Sequence, residues 1–200
     1  MDDYAVEAGG QTVLSDLFVA RVQSLRADDV EAFAHYLTTR ATAFWPYPEA
    51  TVPDCRLSDA QLEHRISRLA QDGLATPVGE PCWARFWIAR ADDGQIVGHV
   101  SLRFRRQRAM AHRARLEISV LPEFRIRGLG YDLLRNALRW AEQCSRLDWI
   151  DVNCPSTHIA ALRLLARAGF QEIGRVPDLF REGGRRIDTV ALTRRLRRSS

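Results

Sequence analysis

The sequence contains no lysine: all 29 of its Lys and Arg residues are arginines. Besides histidine, every basic side chain is therefore a guanidinium, charged at any working pH. Long apolar runs are also missing. None approaches the roughly 20 residues that a bilayer-spanning helix needs, so no membrane partner is expected. The first ten residues, Met1 to Gly10, are acidic and lack the apolar core of a signal peptide, which makes the cytoplasm the default location. Cysteine is sparse. Cys55, Cys82, Cys144 and Cys154 are widely separated and form no C-x-x-C pair, so neither zinc nor a disulfide framework is indicated and no metal is expected. Repeats, low-complexity tracts and linkers are absent as well.

What remains suits one domain. A chain of 200 residues, 46% hydrophobic, can bury a real core. Residues 1–15 read as a flexible N-terminal segment and 16–200 as a single domain. The formal net charge of +4 admits two partners, a nucleic acid or an anionic cofactor. No extended basic tail rich in aromatics appears, so a nucleic acid is disfavoured. Arg194 to Arg198 reads as a strand end fraying into solvent.

The most informative stretch runs from Arg115 to Cys144. Leu116 to Val120 alternates as a strand, with Leu116, Ile118 and Val120 on one face and Glu117 and Ser119 on the other. Pro122 ends it, because proline cannot donate to a sheet ladder. A helix follows from about Leu129, with Leu133, Leu134, Ala137, Leu138, Ala141 and Cys144 on one stripe. Between them lies Arg125-Ile126-Arg127-Gly128-Leu129-Gly130. Glycines allow positive φ and close backbone approach, and the leading amides of a helix attract anions, phosphates especially. The turn is not a G-x-G-x-x-G fingerprint, since Leu133 stands where the third glycine belongs. Nor is it a Walker loop, which needs Gly-Lys-Ser/Thr.

The rest of the chain reads as follows. Leu17 to Val22 is a strand. Asp28 can cap a helix with Val30, Phe33, Ala34 and Leu37 inward. Phe44-Trp45-Pro46-Tyr47-Pro48 breaks that helix. Ser58 and Gln61 open a second helix by a capping box, with Leu62, Ile66 and Leu69 inward and Gly73 as its stop. Trp83–Ala89 and Gln95–Phe104 form a hairpin about Asp92-Asp93-Gly94. Arg105 to Arg113 is a basic loop. Trp149 to Asn153 is a strand; Ser156 or Thr157 caps a helix closed by Gly169. Phe170–Arg175 and Arg186–Leu196 form a last hairpin, turning near Gly183-Gly184.

The pattern R-x-x-G-x-G after a strand ending in V-x-P resembles the pyrophosphate-binding motif of the GNAT superfamily of acyl-CoA-dependent N-acetyltransferases. The order β–α–α–β–β–β–α–β–α–β–β is similar to that family's from about residue 16 to 197. Ala161 to Phe170, ALRLLARAGF, looks like its second signature. The resemblance implies an α+β (α/β) fold, a mixed, mostly antiparallel central sheet flanked by helices. It implies acetyl-CoA as cosubstrate and an amine as acceptor. The pyrophosphate would rest on the amides of Ile126, Arg127, Gly128, Leu129, Gly130 and Tyr131, with the side chains of Arg125 and Arg127 nearby. The pantetheine arm would lie along Ile118, Ser119 and Val120 like an added strand, and the Val120 amide would face the thioester oxygen. Exposed sheet edges of this fold leave a homodimer open.

An attacking amine must be neutral. An alkylammonium with a pKa near ~10.4 loses its proton at pH 7 for about 4.6 kcal/mol, a peptide α-amine for only about 1. Glu117 is the first candidate base; its other reading is a strand carboxylate paired with an arginine. Asp151 is the second, or else a salt-bridged residue. The tyrosine that many members of the resembled family use as acid is matched by Leu165, and a frequent glutamate by Asn153. Protonation would then fall to His158, Ser156 or water, although His158 also reads as a cap. Phe44, Trp45 and Tyr47 lie where the resemblance places the acceptor; alternatively they bury their own rings. The arginine-rich stretch Arg103 to Arg115 suits an acidic substrate or a nucleic acid, but reads first as a solvated hairpin. The expected activity is acetyl transfer to a primary amine, with a non-catalytic acyl-CoA sensor as the alternative.

Overall fold

Strands and helices follow one another in the predicted order. The computed structural model describes residues 20–41, 58–105, 107–125 and 128–197. Strand β1 (Arg21–Ser24) is followed by helices α1 (Val30–Ala41) and α2 (Asp59–Ala75). A meander of β2 (Ala84–Arg90), β3 (Ile96–Phe104) and β4 (Arg113–Val120) comes next. Helix α3 (Leu129–Gln143) crosses to β5 (Trp149–Pro155), and α4 (Ile159–Arg167) leads into the hairpin β6 (Gln171–Glu182) and β7 (Arg185–Arg195). No helix among the described residues is long and apolar enough to cross a membrane.

The strands make one sheet in the order β1-β2-β3-β4-β5-β7-β6. All neighbours are antiparallel except β4 and β5, whose parallel pairing requires the crossover that α3 supplies. This one parallel ladder is short: Arg113↔Trp149, Ala114↔Ile150 and Arg115↔Asp151. Past it, β4 keeps pairing with β3 as far as Val120↔Gly98, and β5 with β7 as far as Pro155↔Thr189. Between themselves β4 and β5 share no further rung.

Each face of the sheet has its own core. On one, α3 lays Leu129, Leu133, Leu134, Ala137, Leu138 and Ala141 against Val100, Leu102, Leu116 and Ile150, and α4 adds Leu165. Each buried leucine stabilises by about 2 kcal/mol, which is why this stripe was so legible. On the other face, Phe33 and Tyr36 of α1 and Ala70 of α2 cover Ala84, Phe86 and Ile88 of β2.

Several local expectations are corrected. The described first strand is Arg21–Ser24, later than read, and residues 17–19 lie outside the described residues. Asp28 does not cap α1: a 3-10 turn, Ala27–Asp29, precedes the helix, and the Arg26 amide donates to Asp29 at 3.4 Å. The Ser58–Gln61 capping box is present, the two residues bonding reciprocally at 2.9 and 3.3 Å. But α2 does not stop at Gly73. It continues to Ala75, and its buried stripe is Leu62, Ile66, Ala70 and Gly73, leaving Leu69 45% exposed. Gly73 is inside because α2 rests on β2 there: an added Cβ would stand 2.7 Å from Ala84 Cβ. Cys144 is half-buried at the C-cap of α3, beyond the buried stripe. The N-cap of α4 is His158, not Ser156 or Thr157, and its side chain does not cap the helix amides. Gly169 (φ +83) closes that helix as expected.

Candidate active site

The glycine turn is built from the end of β4. After Val120 the chain makes a 3-10 turn over Pro122–Phe124, and Arg125 folds back so that its Nε donates to the Val120 carbonyl at 3.0 Å. Gly128 then takes φ +83 at the N-cap of α3, and no side chain caps the helix. A Cβ on Gly128 would meet nothing within 4 Å, so glycine is needed there for conformation rather than for room. Gly130 is different: a Cβ would lie 3.3 Å from Leu164 Cδ2 and 3.9 Å from Val120 Cγ2. The start of α3 therefore abuts both the end of β4 and α4. A helix start whose N-cap is a glycine has no side-chain oxygen of that residue to satisfy its leading amides, and such amides favour anions in general.

One expected donor is turned away. The Tyr131 amide bonds the Gly128 carbonyl at 2.9 Å, as does that of Asp132 at 3.1 Å. Tyr131 joins its own helix, and its ring lies 40% exposed with the Arg167 guanidinium 5.3 Å from its centroid. Leu129 and Gly130 lead the helix ahead of it. Ile126 and Arg127 lie outside the described residues, as do Phe44, Trp45 and Tyr47.

Ile118, Ser119 and Val120 are half-buried and paired on one side with Val100, His99 and Gly98 of β3. Their other side faces the gap where β5 has parted from β4. An extended chain entering that gap would meet main-chain groups with no strand partner, the requirement for strand addition. Gly128 and the start of α3 follow directly on this end of β4.

Glu117 sits on the opposite face from Leu116 and Ile118, as its alternation predicts. It is not alone. Arg103 Nη2 contacts Glu117 Oε1 closely, and Arg115 Nε lies at 3.7 Å from the same oxygen. Burial alone would raise the Glu117 carboxyl, but the charges of Arg103 and Arg115, a hydrogen bond from Arg103 and the field of His99 outweigh it and hold it below the usual carboxylate range. An ordinary carboxylate already lies about 6 pKa units under an alkylammonium, roughly 8 kcal/mol of uphill proton transfer. The guanidinium pair widens that gap. Glu117 in this setting is suited to attracting a cation or ordering a water more than to storing a proton.

Asp151 is engaged on every side. Arg113 grips it through two bonds, Nε to Oδ2 at 2.8 Å and Nη2 to Oδ1 at 2.5 Å, and Thr193 Oγ1 donates at 2.7 Å. Arg105 stands at 3.4 Å. Burial would raise this carboxyl too, but the hydrogen bonds from Arg113 and Thr193 and the charges of Arg113 and Arg105 hold it below its usual value. It lies where β4 and β5 still pair, opposite Arg115. Its geometry is that of a clamp joining β4, β5 and β7.

His158 is exposed at the start of α4, its carbonyl accepting from the Leu162 amide at 3.0 Å. Leu165 is 1% exposed in the core, so no proton donor occupies that position. Asn153 is exposed on β5 opposite Ala191.

Sequence reading missed one pair. His99 and Tyr36 are both buried, with Nδ1 3.3 Å from the phenol oxygen and Phe33 edge-on to the imidazole. His99 lies opposite Ser119, next to Glu117's own partner Ser101. The available signal was the alternation His99-Ser101-Arg103 along β3, which mirrors Ser119-Glu117-Arg115 once the register is known.

Among curated proteins none matches this sequence. Solved structures do. An acetyltransferase of the GNAT family from Streptococcus pneumoniae superposes with a TM-score of 0.71 at 17% identity, covering 89% of this chain and 100% of that one. A putative acetyltransferase from Salmonella typhimurium, solved with its cofactor acetyl-CoA, gives 0.68 at 17% identity over 91% of this chain and 96% of that one. A GNAT superfamily phosphinothricin acetyltransferase from Sinorhizobium meliloti in complex with AcCoA gives 0.66 at 18% identity, over 88% of both. At such identities the likeness is one of fold. The family model described as "Acetyltransferase (GNAT) family" matches residues 41–170 of the sequence itself, more than half of its length. With the parted strands, the glycine turn and the open helix start, that match makes the chain a member of the GNAT acetyltransferase family.

Proposed function

We propose that the protein transfers an acetyl group from acetyl-CoA to a primary amine, by direct attack while both are bound. The observation that carries this reading is the gap between β4 and β5, bounded by the uncapped start of α3. Acetyl-CoA supplies the activated thioester. Leu129, Gly130 and Gly128 take the pyrophosphate on their backbone, with Ile126, Arg127 and the Arg125 side chain beside it and Tyr131 flanking. Ile118, Ser119 and Val120 bind the pantetheine arm, and the Val120 amide stabilises the developing oxyanion, an effect of about 3 kcal/mol for one such donor. Glu117 draws the acceptor's ammonium toward that amide, and water carries away the proton the nitrogen must lose. The nitrogen bonds to the acetyl carbon, the carbon–sulfur bond breaks, and the thiolate takes a proton from water or from His158. Asp151 serves by fixing Arg113 and the joint of the two strands. Phe44, Trp45 and Tyr47 complete the acceptor side.

A second reading is favoured by Leu165, buried where a proton donor would be useful, and by the arginines that lower Glu117. It is a domain that binds acyl-CoA without turnover. Calorimetry with coenzyme A and thiol release across a panel of amines separate the two. Transfer requires heat with coenzyme A and release with at least one amine, slowed in Glu117→Gln. Heat without release from any amine selects the binding domain; no heat removes both.

A further inference from the structure

The basic end of β7 is not a fraying strand as far as Arg195. Arg194 pairs with Glu142 at 2.6 Å, and the rung Trp149↔Arg195 is still formed. The register thereby sets an aromatic ring beside a basic stretch that has none of its own in the sequence. Arg113, Trp149 and Arg195 stand in a row across β4, β5 and β7, on the face opposite Ile150. The Trp149 ring carries two guanidinium groups, Arg113 at 5.1 Å from its centroid and Arg195 at 5.9 Å. The two are not equivalent. Arg113 is tied down by its two bonds to Asp151 and is 22% exposed. Arg195 and Arg197 are exposed, and among the described residues neither is held in an ion pair.

Beside the ring is a cavity of about 590 Å³, lined by Asp148, Trp149, Arg195, Leu196 and Arg197. A volume of that order suits a small organic ligand. Main-chain bonds hold its walls together: the Leu196 amide donates to the Asp148 carbonyl at 2.8 Å, and the Asp148 amide to the His112 carbonyl at 2.8 Å. Guanidinium forks match phosphate oxygens, and a half-buried indole offers a flat apolar surface to another ring. Asp148 brings a carboxylate to the same wall, so a bare anion gains little there and a ring has to contribute. The cavity is also remote from the fork of β4 and β5. Strand β5 runs seven residues from Trp149 to Pro155, roughly 20 Å.

We propose that this end of the sheet binds a nucleotide, its base stacked on the Trp149 ring in place of the Arg195 guanidinium and its phosphate gripped by Arg195 and Arg197. Arg195 leaves the ring to do so, and the exposed cation–π contact it gives up is weaker than the base stacking that replaces it. Arg113, locked to Asp151, keeps the indole in place. The nucleotide is a free one or one unit of a single strand, and stacking on a single ring accepts any base. The site goes beyond the acyl-transfer reading and does not depend on it.

The test is calorimetry on the full chain, with and without excess coenzyme A. The probes are thymidine monophosphate and a short oligothymidylate, each beside a counterpart without bases, deoxyribose 5-phosphate and an abasic strand of the same length. Binding of the strand alone assigns a nucleotide within a chain; binding of the monophosphate assigns a free one. The probe that binds should do so at least about fivefold more tightly than its baseless counterpart, the low end for one stacked base. Trp149→Leu should cost a similar factor; where that variant does not fold, the baseless probes make the same comparison. Arg195→Gln and Arg197→Gln, both at exposed positions, should each weaken binding and reduce its salt dependence, and leave the heat of coenzyme A unchanged. No binding of either nucleotide probe, equal binding of the baseless counterparts, full affinity in both arginine variants, or loss of the probe when coenzyme A is added overturns the proposal.

Discussion

Replacing the two glycines of the turn separates conformation from ligand contact, because the two sites differ in what a side chain would meet. Gly128→Ala places a Cβ in open space but keeps φ at +83. Its penalty is conformational, about 1–2 kcal/mol, and the melting temperature should fall by roughly 2–8 °C for a chain of this size. Gly130→Val lies in the first turn of α3, where helical geometry suits valine better than glycine by a few tenths of a kcal/mol. The nearest obstacle is Leu164 Cδ2 at 3.3 Å, the tip of a flexible side chain. Stability should therefore change by no more than about 0.5 kcal/mol. Binding should behave in the opposite way. The branched side chain screens the leading amides, and a hydrogen bond to a charged group is worth about 1.5–3 kcal/mol. The dissociation constant for coenzyme A should rise roughly 10- to 150-fold. Calorimetry gives the affinity, and melting curves with and without coenzyme A give the stability. At a hundredfold excess over Kd the ligand should stabilise the natural protein by about 2.7 kcal/mol and Gly130→Val far less. Unaltered uptake of coenzyme A by folded Gly130→Val would refute the reasoning, since the amides it shields would not be those that hold the phosphates.

Three further outcomes are expected. Gly73→Ala should destabilise by about 1–3 kcal/mol despite the better helix former, because its Cβ would stand 2.7 Å from Ala84 Cβ with β2 fixed behind it; a chemical denaturation midpoint that stays or rises counts against this. Asp151 and Glu117 have carboxyls lowered by folding from unfolded values of about 3.9 and 4.3. Their stabilisation is complete above those values and is lost as pH falls through the lower folded ones, so unfolding free energy should decline steeply below about pH 4. Asp151→Ala should remove part of that slope and destabilise at neutral pH by about 3–5 kcal/mol; a natural protein equally stable at pH 6 and pH 2 contradicts the ion-pair account. Burial pushes the Cys154 thiol up to about 11, whereas Cys82 is exposed. Alkylation at pH 8, followed by peptide mass mapping, should modify Cys82 well before Cys154; equal rates in the folded protein would show Cys154 to be accessible.

What could be read in the sequence was whatever is decided locally. The stripe of α3 from Leu133 to Ala141, the Ser58–Gln61 capping box and the Gly94 hairpin turn each depend on residues a few positions apart, and each is where it was expected. Gly73 shows the limit. In sequence a glycine ending an apolar stripe looks like a helix stop, but here it is the point of closest approach to Ala84, a contact invisible until α2 meets β2. Charge pairing is hidden in the same way. Arg103 and Glu117 become partners through the register of β3 and β4, and Arg113 and Asp151 through a parallel crossover. His99 and Tyr36 are 63 residues apart. The glycine turn was therefore legible, whereas the electrostatic setting that weakens Glu117 as a base was not.

The parting of β4 and β5 has a mechanical consequence. The sheet forks, and its two limbs, β1–β4 and β5–β7, are tied at the root by three rungs and the Arg113–Asp151–Thr193 clasp. A slender chain threaded through the fork would lace the limbs together along Leu116–Val120, so occupancy should be readable as slowed deuterium uptake there and in β5. Whatever fills the opening gains most by hydrogen-bonding as a backbone does, because main-chain groups of β4 beyond Arg115 have no rung to β5.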